Sequence, residues 1–167
     1  MSNTPNRATN PAGKQPRKKN IALDLTTARQ MLPLIQSIVT DIVTSRQAIN
    51  QLTPEQERLE RHRRDLVWLE RQRRYQVTDE IAAAEKTLTH AVTELSGLGV
   101  SLVDDEAGEV DFPTKINGRP AAFSWKLGEN GLGHWHYQGE EQRRPIPTDW
   151  DQGTPLTPVR LRGQGQP

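Results

Sequence analysis

The sequence predicts an α+β protein, with a long antiparallel helical hairpin followed by a small four-stranded antiparallel β-meander and disordered termini. Between about residues 27 and 96, apolar residues recur every three or four positions, which is typical of helices with one apolar face. After Gly99 apolar and polar residues alternate, which is typical of strands. Residues 1–20 and 151–167 are rich in Pro, Gly and polar residues. We expect both to be disordered, because they bury too little apolar surface to offset the entropy of ordering.

The composition limits which kinds of functional site the chain can contain. Hydrophobic residues make up 33% of the chain and its mean hydropathy is −0.79, values typical of a single domain with much solvated surface. There is no cysteine, which excludes disulfides, thiolate zinc sites and cysteine nucleophiles. No run approaches the roughly 18 apolar residues of a membrane span, and no secretory signal is evident. The sequence therefore predicts a cytoplasmic protein without a membrane span.

The charge is divided unevenly along the chain. The net charge is +1, but residues 1–20 carry five basic residues and no acid, so residues 21–167 sum to −4. A basic arm of this kind is a candidate for contact with nucleic acid or another anionic surface. The arm's most closely spaced basic residues are Lys14, Arg17, Lys18 and Lys19.

Two helices are predicted, at about 27–50 and 54–96. A Thr N-cap precedes the first apolar positions, and Pro33 should kink the first turns. Thr53-Pro54-Glu55-Gln56 reads as a capping box that starts the second helix after a break at 51–53. The second helix carries a coiled-coil-like seam, with spacings of four and three. The seam consists of Val77, Ile81, Ala84, Leu88, Ala91 and Leu95.

Four strands are predicted within about residues 100–137. Asn117-Gly118 is a strong hairpin turn, and a two-residue turn there pairs Phe112 with Phe123. A four-residue turn at 128–131 then pairs Phe123 with His136. This register places both His134 and His136 on the apolar face, and Asp111 on the opposite face.

Four short segments have a characteristic order and spacing. They are Gly108 to Pro113, Trp125 to Glu129, Trp135-His136, and Gly139 to Arg143. With them, the region from roughly Leu25 to Ile146 resembles the uncharacterised bacterial domain-of-unknown-function family 2203. The resemblance implies a fold but no established activity. Ser124 stands where that family often carries Cys.

His134 and His136 are the residues that suggest a metal-binding site. Two His at i and i+2 on a strand point the same way, and Glu129 in the adjoining turn would supply a third ligand for a divalent transition metal. The alternative is that both His are packing residues.

Asp111, Trp125 and Arg143 are the candidate anion or partner contacts. Asp111 could act as a catalytic acid, but the sequence favours a pair with Lys126 across the strands. Arg143 either holds a carboxylate or phosphate, or pairs with Glu129 and braces the turn. Ser124 lacks the neighbours of a catalytic nucleophile.

The function that the sequence favours is a non-enzymatic, self-associating interaction module whose partner is a second copy or another protein. The basic runs at 61–64 and 71–74 are interleaved with acids, which indicates a solvated helix with ion pairs along it, such as Glu60–Arg64 and Glu70–Arg74. The alternative function is a metal-binding protein or metal-dependent enzyme using His134, His136 and Glu129. The third is nucleic-acid contact through the basic arm.

Overall fold

The computed structural model describes residues 22–152 and has the predicted α+β architecture. Two helices are followed by a five-stranded antiparallel sheet in the order β1-β2-β3-β4-β5 and a short 3-10 helix. The elements are α1 (Leu25–Arg61), α2 (Trp68–Gly97), β1 (Ser101–Asp104), β2 (Glu109–Ile116), β3 (Arg119–Lys126), β4 (His134–Tyr137), β5 (Arg144–Pro145) and the 3-10 helix Thr148–Gln152. The predicted basic arm lies outside the described residues, as does the predicted tail apart from its first two residues.

The helical hairpin turns later than the sequence predicts. The break expected at 51–53 is wrong, because α1 continues through Pro54 to Arg61 and the connection lies at 62–67. Thr53 does not cap a helix; its hydroxyl donates to the carbonyl of Ile49 at 2.7 Å, one turn back. The capping-box pattern is local. Here it is overridden by packing, because Leu59 on α1 is fully buried in a cluster with residues of α2.

The start of α1 also differs by a few residues from the prediction. Asp24 is the N-cap, and its Oδ1 accepts a hydrogen bond from the backbone N–H of Thr27 at 2.7 Å. This bond and the Thr27 hydroxyl hold the pKa of Asp24 below its usual value.

The main core lies between the hairpin and one face of the sheet. This inner face contributes Val110 and Phe112 from β2, and Phe123 and Trp125 from β3. The seam predicted on α2 is buried or half-buried, so the chain itself covers it. Its C-terminal residues join the main core, and Val77 and Ile81 join a second, smaller core with Leu59 and Leu66 near the hairpin turn.

The register between β2 and β3 is confirmed, whereas the register between β3 and β4 is wrong by one residue. Phe112 pairs with Phe123 as predicted, but Phe123 pairs with Trp135, not with His136. A one-residue slip moves every side chain to the other face. Trp135 therefore packs against the core, while His134 and His136 lie on the outer face, the face turned away from the helices.

The slip arises in the turn between β3 and β4. The predicted turn at 128–131 leaves Leu132 for the strand, whereas Leu132 lies in the turn and is buried in the core, and β4 begins only at His134. Gly128 and Gly131 have φ values of 97° and 88°. This left-handed backbone lets a longer turn fold back without a regular hairpin geometry.

The ion pairs of the basic runs connect the two helices. Arg73 on α2 donates to both carboxylate oxygens of Glu55 on α1, at 2.9 and 2.8 Å. Arg74 lies 3.0 Å from Glu60 and Arg58 lies 3.4 Å from Glu70, again across the hairpin. The prediction of pairs within one helix is therefore wrong for Glu60 and Glu70, which pair between the helices.

Neither helix has an apolar stretch long enough to cross a lipid bilayer within residues 22–152.

Gly108, in the turn before β2, packs closely against α1. It has a φ of 68°, and a Cβ placed on it would lie 2.8 Å from Leu127 Cβ and 2.9 Å from methyl carbons of Val39 and Val43. Both the backbone conformation and the contact with α1 therefore require glycine at this turn.

We expect Gly108→Ala to lower the free energy of unfolding by about 1–3 kcal/mol more than Gly118→Ala, as measured by urea denaturation. Gly118 is the matched control, because its φ is 75° but nothing lies within 4 Å of the added Cβ. It isolates the cost of the positive φ, about 1–2 kcal/mol. Equal decreases in the free energy of unfolding of the two variants would show that the added Cβ at 108 does not clash with α1.

Candidate functional site

The outer face of the sheet carries a hydrogen-bonded Asp111–His136 pair. Asp111 lies on β2 and His136 on β4, and the two meet across β3 because the side chains between them, Ala122 and Ser124, are small. His136 Nε2 lies 3.1 Å from Asp111 Oδ1 and 3.0 Å from Asp111 Oδ2. The predicted pair between Asp111 and Lys126 is therefore replaced by one with His136.

The surroundings of His136 favour the doubly protonated form of its ring. Its Nε2 faces the Asp111 carboxylate, and its Nδ1 lies 2.9 Å from the carbonyl oxygen of Tyr137. Both groups are acceptors, and only the doubly protonated ring can donate to both of them. Burial lowers the pKa of His136, but the hydrogen bonds to Asp111 and to the Tyr137 carbonyl outweigh it and raise the pKa above its usual value. The Asp111 and His136 side chains are 19% and 15% exposed, which limits screening by water.

A second charged pair, Glu129–Arg143, lies farther along the outer face. Arg143 Nη1 and Nη2 donate to the two oxygens of Glu129 at 2.9 and 2.8 Å, and Nη2 also donates to the Ser124 carbonyl at 3.2 Å. Glu129 also accepts the backbone N–H of Lys126 at 3.0 Å. The hydrogen bond from Arg143 is the main reason why the pKa of Glu129 lies below its usual range.

The contacts of Arg143 match one of its two interpretations. Arg143 pairs with Glu129 and braces the turn between β3 and β4. The arrangement also uses the fork geometry that favours Arg over Lys for carboxylates.

Two of the three candidate metal ligands are paired with other groups. Glu129 faces Arg143, and His134 Nδ1 lies 3.8 Å from the Glu129 carboxylate. Both ring nitrogens of His136 face protein oxygens, those of Asp111 and of the Tyr137 carbonyl. Within residues 22–152, no group of three or more His, Asp or Glu side chains is placed to hold a metal ion. The geometry therefore gives the metal hypothesis no support.

Trp125 was predicted as a candidate partner contact, and this is wrong. Its side chain is 1% exposed and lies in the main core, where the inner face of β3 packs on the helices. Its Nε1 donates to the carbonyl of Glu129 at 3.3 Å, so it anchors the same turn from below.

The hairpin tip, defined as residues 61–75, is the exposed surface that the sequence reasoning missed. Val67, Trp68 and Leu69 are 62%, 66% and 72% exposed, and Tyr75 is 65% exposed. Three consecutive apolar residues cannot share one helix face, and that pattern could have revealed the surface. The predicted helix at about 54–96 does not reveal this surface, because it runs through these residues without a break.

The hairpin tip is basic, whereas the rest of the described chain is acidic. The tip contains six Arg against Asp65 and Glu70, a net charge of +4. The other described residues include 9 basic and 19 acidic residues, a net charge of −10. The fold therefore separates an apolar, basic end from an acidic body.

The raised pKa of His136 makes stability depend on pH. A group whose pKa rises on folding stabilises the protein fully below its unfolded value, 6.5, and loses that contribution as the pH rises through the folded value. We expect NMR titration of the His136 ring to give a midpoint above 6.5. We expect Asp111→Asn to lower that midpoint more than Glu109→Gln, because Glu109 acts only at a distance. Equal midpoints in wild type and Asp111→Asn would contradict the pair.

The Glu129–Arg143 pair should stabilise the fold more than an exposed pair does. In a double-mutant cycle with Glu129→Gln and Arg143→Gln, we expect a coupling of about 1–2 kcal/mol, because the pair is bidentate and three-quarters shielded. The control is Arg58–Glu70, whose side chains are 55% and 41% exposed, with an expected coupling of about 0.5 kcal/mol or less. Urea denaturation measures both, and similar couplings would mean that the shielding adds nothing.

Comparison with known proteins places the chain in a family. A search of curated proteins gave no match, and a search of solved structures gave none. A family model described as "Uncharacterized conserved protein (DUF2203)" matches residues 22–146, about three-quarters of the chain. The matched region spans both helices, all five strands and both charged pairs of the outer face. The chain therefore belongs to the DUF2203 family.

Proposed function

We propose that this protein is a non-enzymatic interaction module that self-associates, with the hairpin tip of one copy docking on the acidic body of a second copy. The observation that carries the proposal is the exposure of Trp68, Leu69, Val67 and Tyr75 at one end of a long hairpin. Four large apolar side chains with more than 60% of their surface in water are costly unless a partner covers them.

The composition of the tip supports a protein partner. Trp, Tyr and Arg are the residues that most often dominate binding at protein interfaces, and all three occur here. Arg74 also lies over the Tyr75 ring, with its guanidinium carbon 5.1 Å from the ring centre. Lys, the residue that interfaces tend to avoid, is absent from residues 61–75.

The tip is held firmly in place by the hairpin beneath it. Leu59 and Leu66 are buried against α2, and Arg73 is paired with Glu55 across the two helices. A surface fixed before binding loses less entropy when it docks. In this proposal the two helices act as an intramolecular coiled coil that carries the tip.

Charge complementarity supports a second copy as the partner. A tip of net charge +4 is repelled by another tip but attracted to a body of net charge −10. Such a contact joins different surfaces of the two copies, so it is a heterologous contact that builds either a closed ring or an open chain. The proposal includes the cytoplasmic location expected from the sequence.

The sequence also suggests metal binding and nucleic-acid contact. The metal alternative rests on His134, His136 and Glu129, of which Glu129 is paired with Arg143 and His136 with Asp111. Nucleic-acid contact through residues 14–19 concerns the part of the chain that the structure leaves undescribed, and it stays a prediction from the sequence.

The proposal is tested by sedimentation velocity of the full chain, in low and high salt. We expect concentration-dependent association at up to about 100 µM, weakened about tenfold or more by Trp68→Ala/Leu69→Ser. High salt should also weaken it, because opposite charges meet.

The matched control is Leu34→Ser/Val103→Ser. These residues are 49% and 55% exposed and lie on the body, so this variant keeps the tip and should weaken association less than Trp68→Ala/Leu69→Ser does. A wild-type chain that stays monomeric at the highest concentration would overturn the proposal. Association unchanged in Trp68→Ala/Leu69→Ser would also overturn it, because the contact would then not be at the tip.

A further inference from the structure

The outer face of the sheet contains a cavity of about 350 Å³ beside the Asp111–His136 pair. Its volume falls within the range of small-molecule sites. The cavity is bounded by the ends of β2, β3 and β4 and by the start of the described chain at Ala22. It is far from the hairpin tip, and the proposed function makes no use of it.

The Asp111 carboxylate is the fixed recognition group of this cavity. His136 occupies one direction of approach to the two oxygens, and each ionised oxygen can accept a further hydrogen bond. Both ring nitrogens of His136 face protein oxygens, Nε2 towards Asp111 and Nδ1 towards the Tyr137 carbonyl. The contacts that this pair leaves for a ligand are therefore those to the Asp111 oxygens.

The remaining polar lining suits hydroxyl groups. Ser101 lies on β1 directly opposite Asp111, so its hydroxyl is on the same side of the sheet. Gln138 lies just past β4 and carries both an amide donor and an amide acceptor. A ligand with several neighbouring hydroxyls can donate to Asp111 and exchange hydrogen bonds with Ser101 and Gln138.

The apolar and charged residues of the lining indicate which other groups the ligand carries. Pro113, Pro120 and Ala122 give apolar surface that C–H groups of a compact molecule can cover. Lys115 pairs with Pro120 on the adjacent strand, is exposed, and contributes a cation to the lining. An anionic group on the ligand would find its counter-charge there.

We propose that this cavity binds a small polyhydroxylated molecule that carries one anionic group, of the size of a monosaccharide. Asp111 accepts hydrogen bonds from its hydroxyls, and Lys115 pairs with its anionic group. A sugar acid and a sugar phosphate share this chemistry, and the experiment distinguishes them.

The test uses the full chain and ¹H–¹⁵N spectra, titrated separately with gluconate and with glucose 6-phosphate. We expect one of them to shift the amides of Ala122, Gln138 and Gly139, which line the cavity. Glucose lacks the anion and inorganic phosphate lacks the hydroxyls, so each should bind about tenfold more weakly or worse.

Three variants locate the binding. Asp111→Asn should weaken it about tenfold, and Lys115→Gln about three- to tenfold with loss of its salt dependence. Lys126→Gln is the matched control: Lys126 is an exposed lysine on β3 outside the cavity lining, and its variant should bind like the wild type.

The proposal is overturned if neither polyhydroxy anion shifts the lining amides at about 10 mM, a concentration at which even weak sites fill. It is also overturned if inorganic phosphate binds as well as glucose 6-phosphate. If Asp111→Asn does not fold, the exposed Lys115→Gln and Ser101→Ala variants decide, and binding unchanged in both would reject the site.

Discussion

The fold depends on the packing of Phe112, Phe123 and Trp125 against the helical hairpin. Once these side chains are buried on the inner face, the two-residue period of a strand sends their neighbours outward. Asp111 and Ser124 therefore face away from the core, and the register of β4 adds His136 beside them. Core packing thus determines which polar groups meet on the outer face, although none of these groups takes part in the core.

The same constraint explains which parts of the fold could be predicted from sequence. The strand β2 and its pairing with β3 follow from Asn117-Gly118, a turn that admits one geometry and so fixes one register. The turn before β4 contains three glycines and admits several lengths. Alternation alone could not choose between Trp135 and His136 as the inward residue, since both lie inside a strand of only four residues. That choice is made by the burial of Leu132 in the turn.

The hairpin turn shows a second limit of local patterns. Thr53-Pro54-Glu55-Gln56 satisfies the rules for starting a helix, yet α1 runs through it. Proline at 54 removes one backbone hydrogen bond, whereas ending the helix there would expose Leu59 and Leu66 and separate Arg73 from Glu55. The candidate site was partly predicted: Glu129–Arg143 was one of two alternatives, while Asp111–His136 was missed because it depends on the register of β4.

The length of α1 separates the two ends of the molecule. From Val43, where the main core ends, to Arg61 at the tip is 18 residues, or about 27 Å of helix. Residues this far apart, without shared partners, contribute almost independently to the free energy of unfolding. Mutations at the tip should therefore leave the outer face of the sheet intact, and mutations on the outer face should leave the tip intact. Selection can therefore change the residues at one end without destabilising the other end, because the hairpin keeps the two surfaces energetically independent.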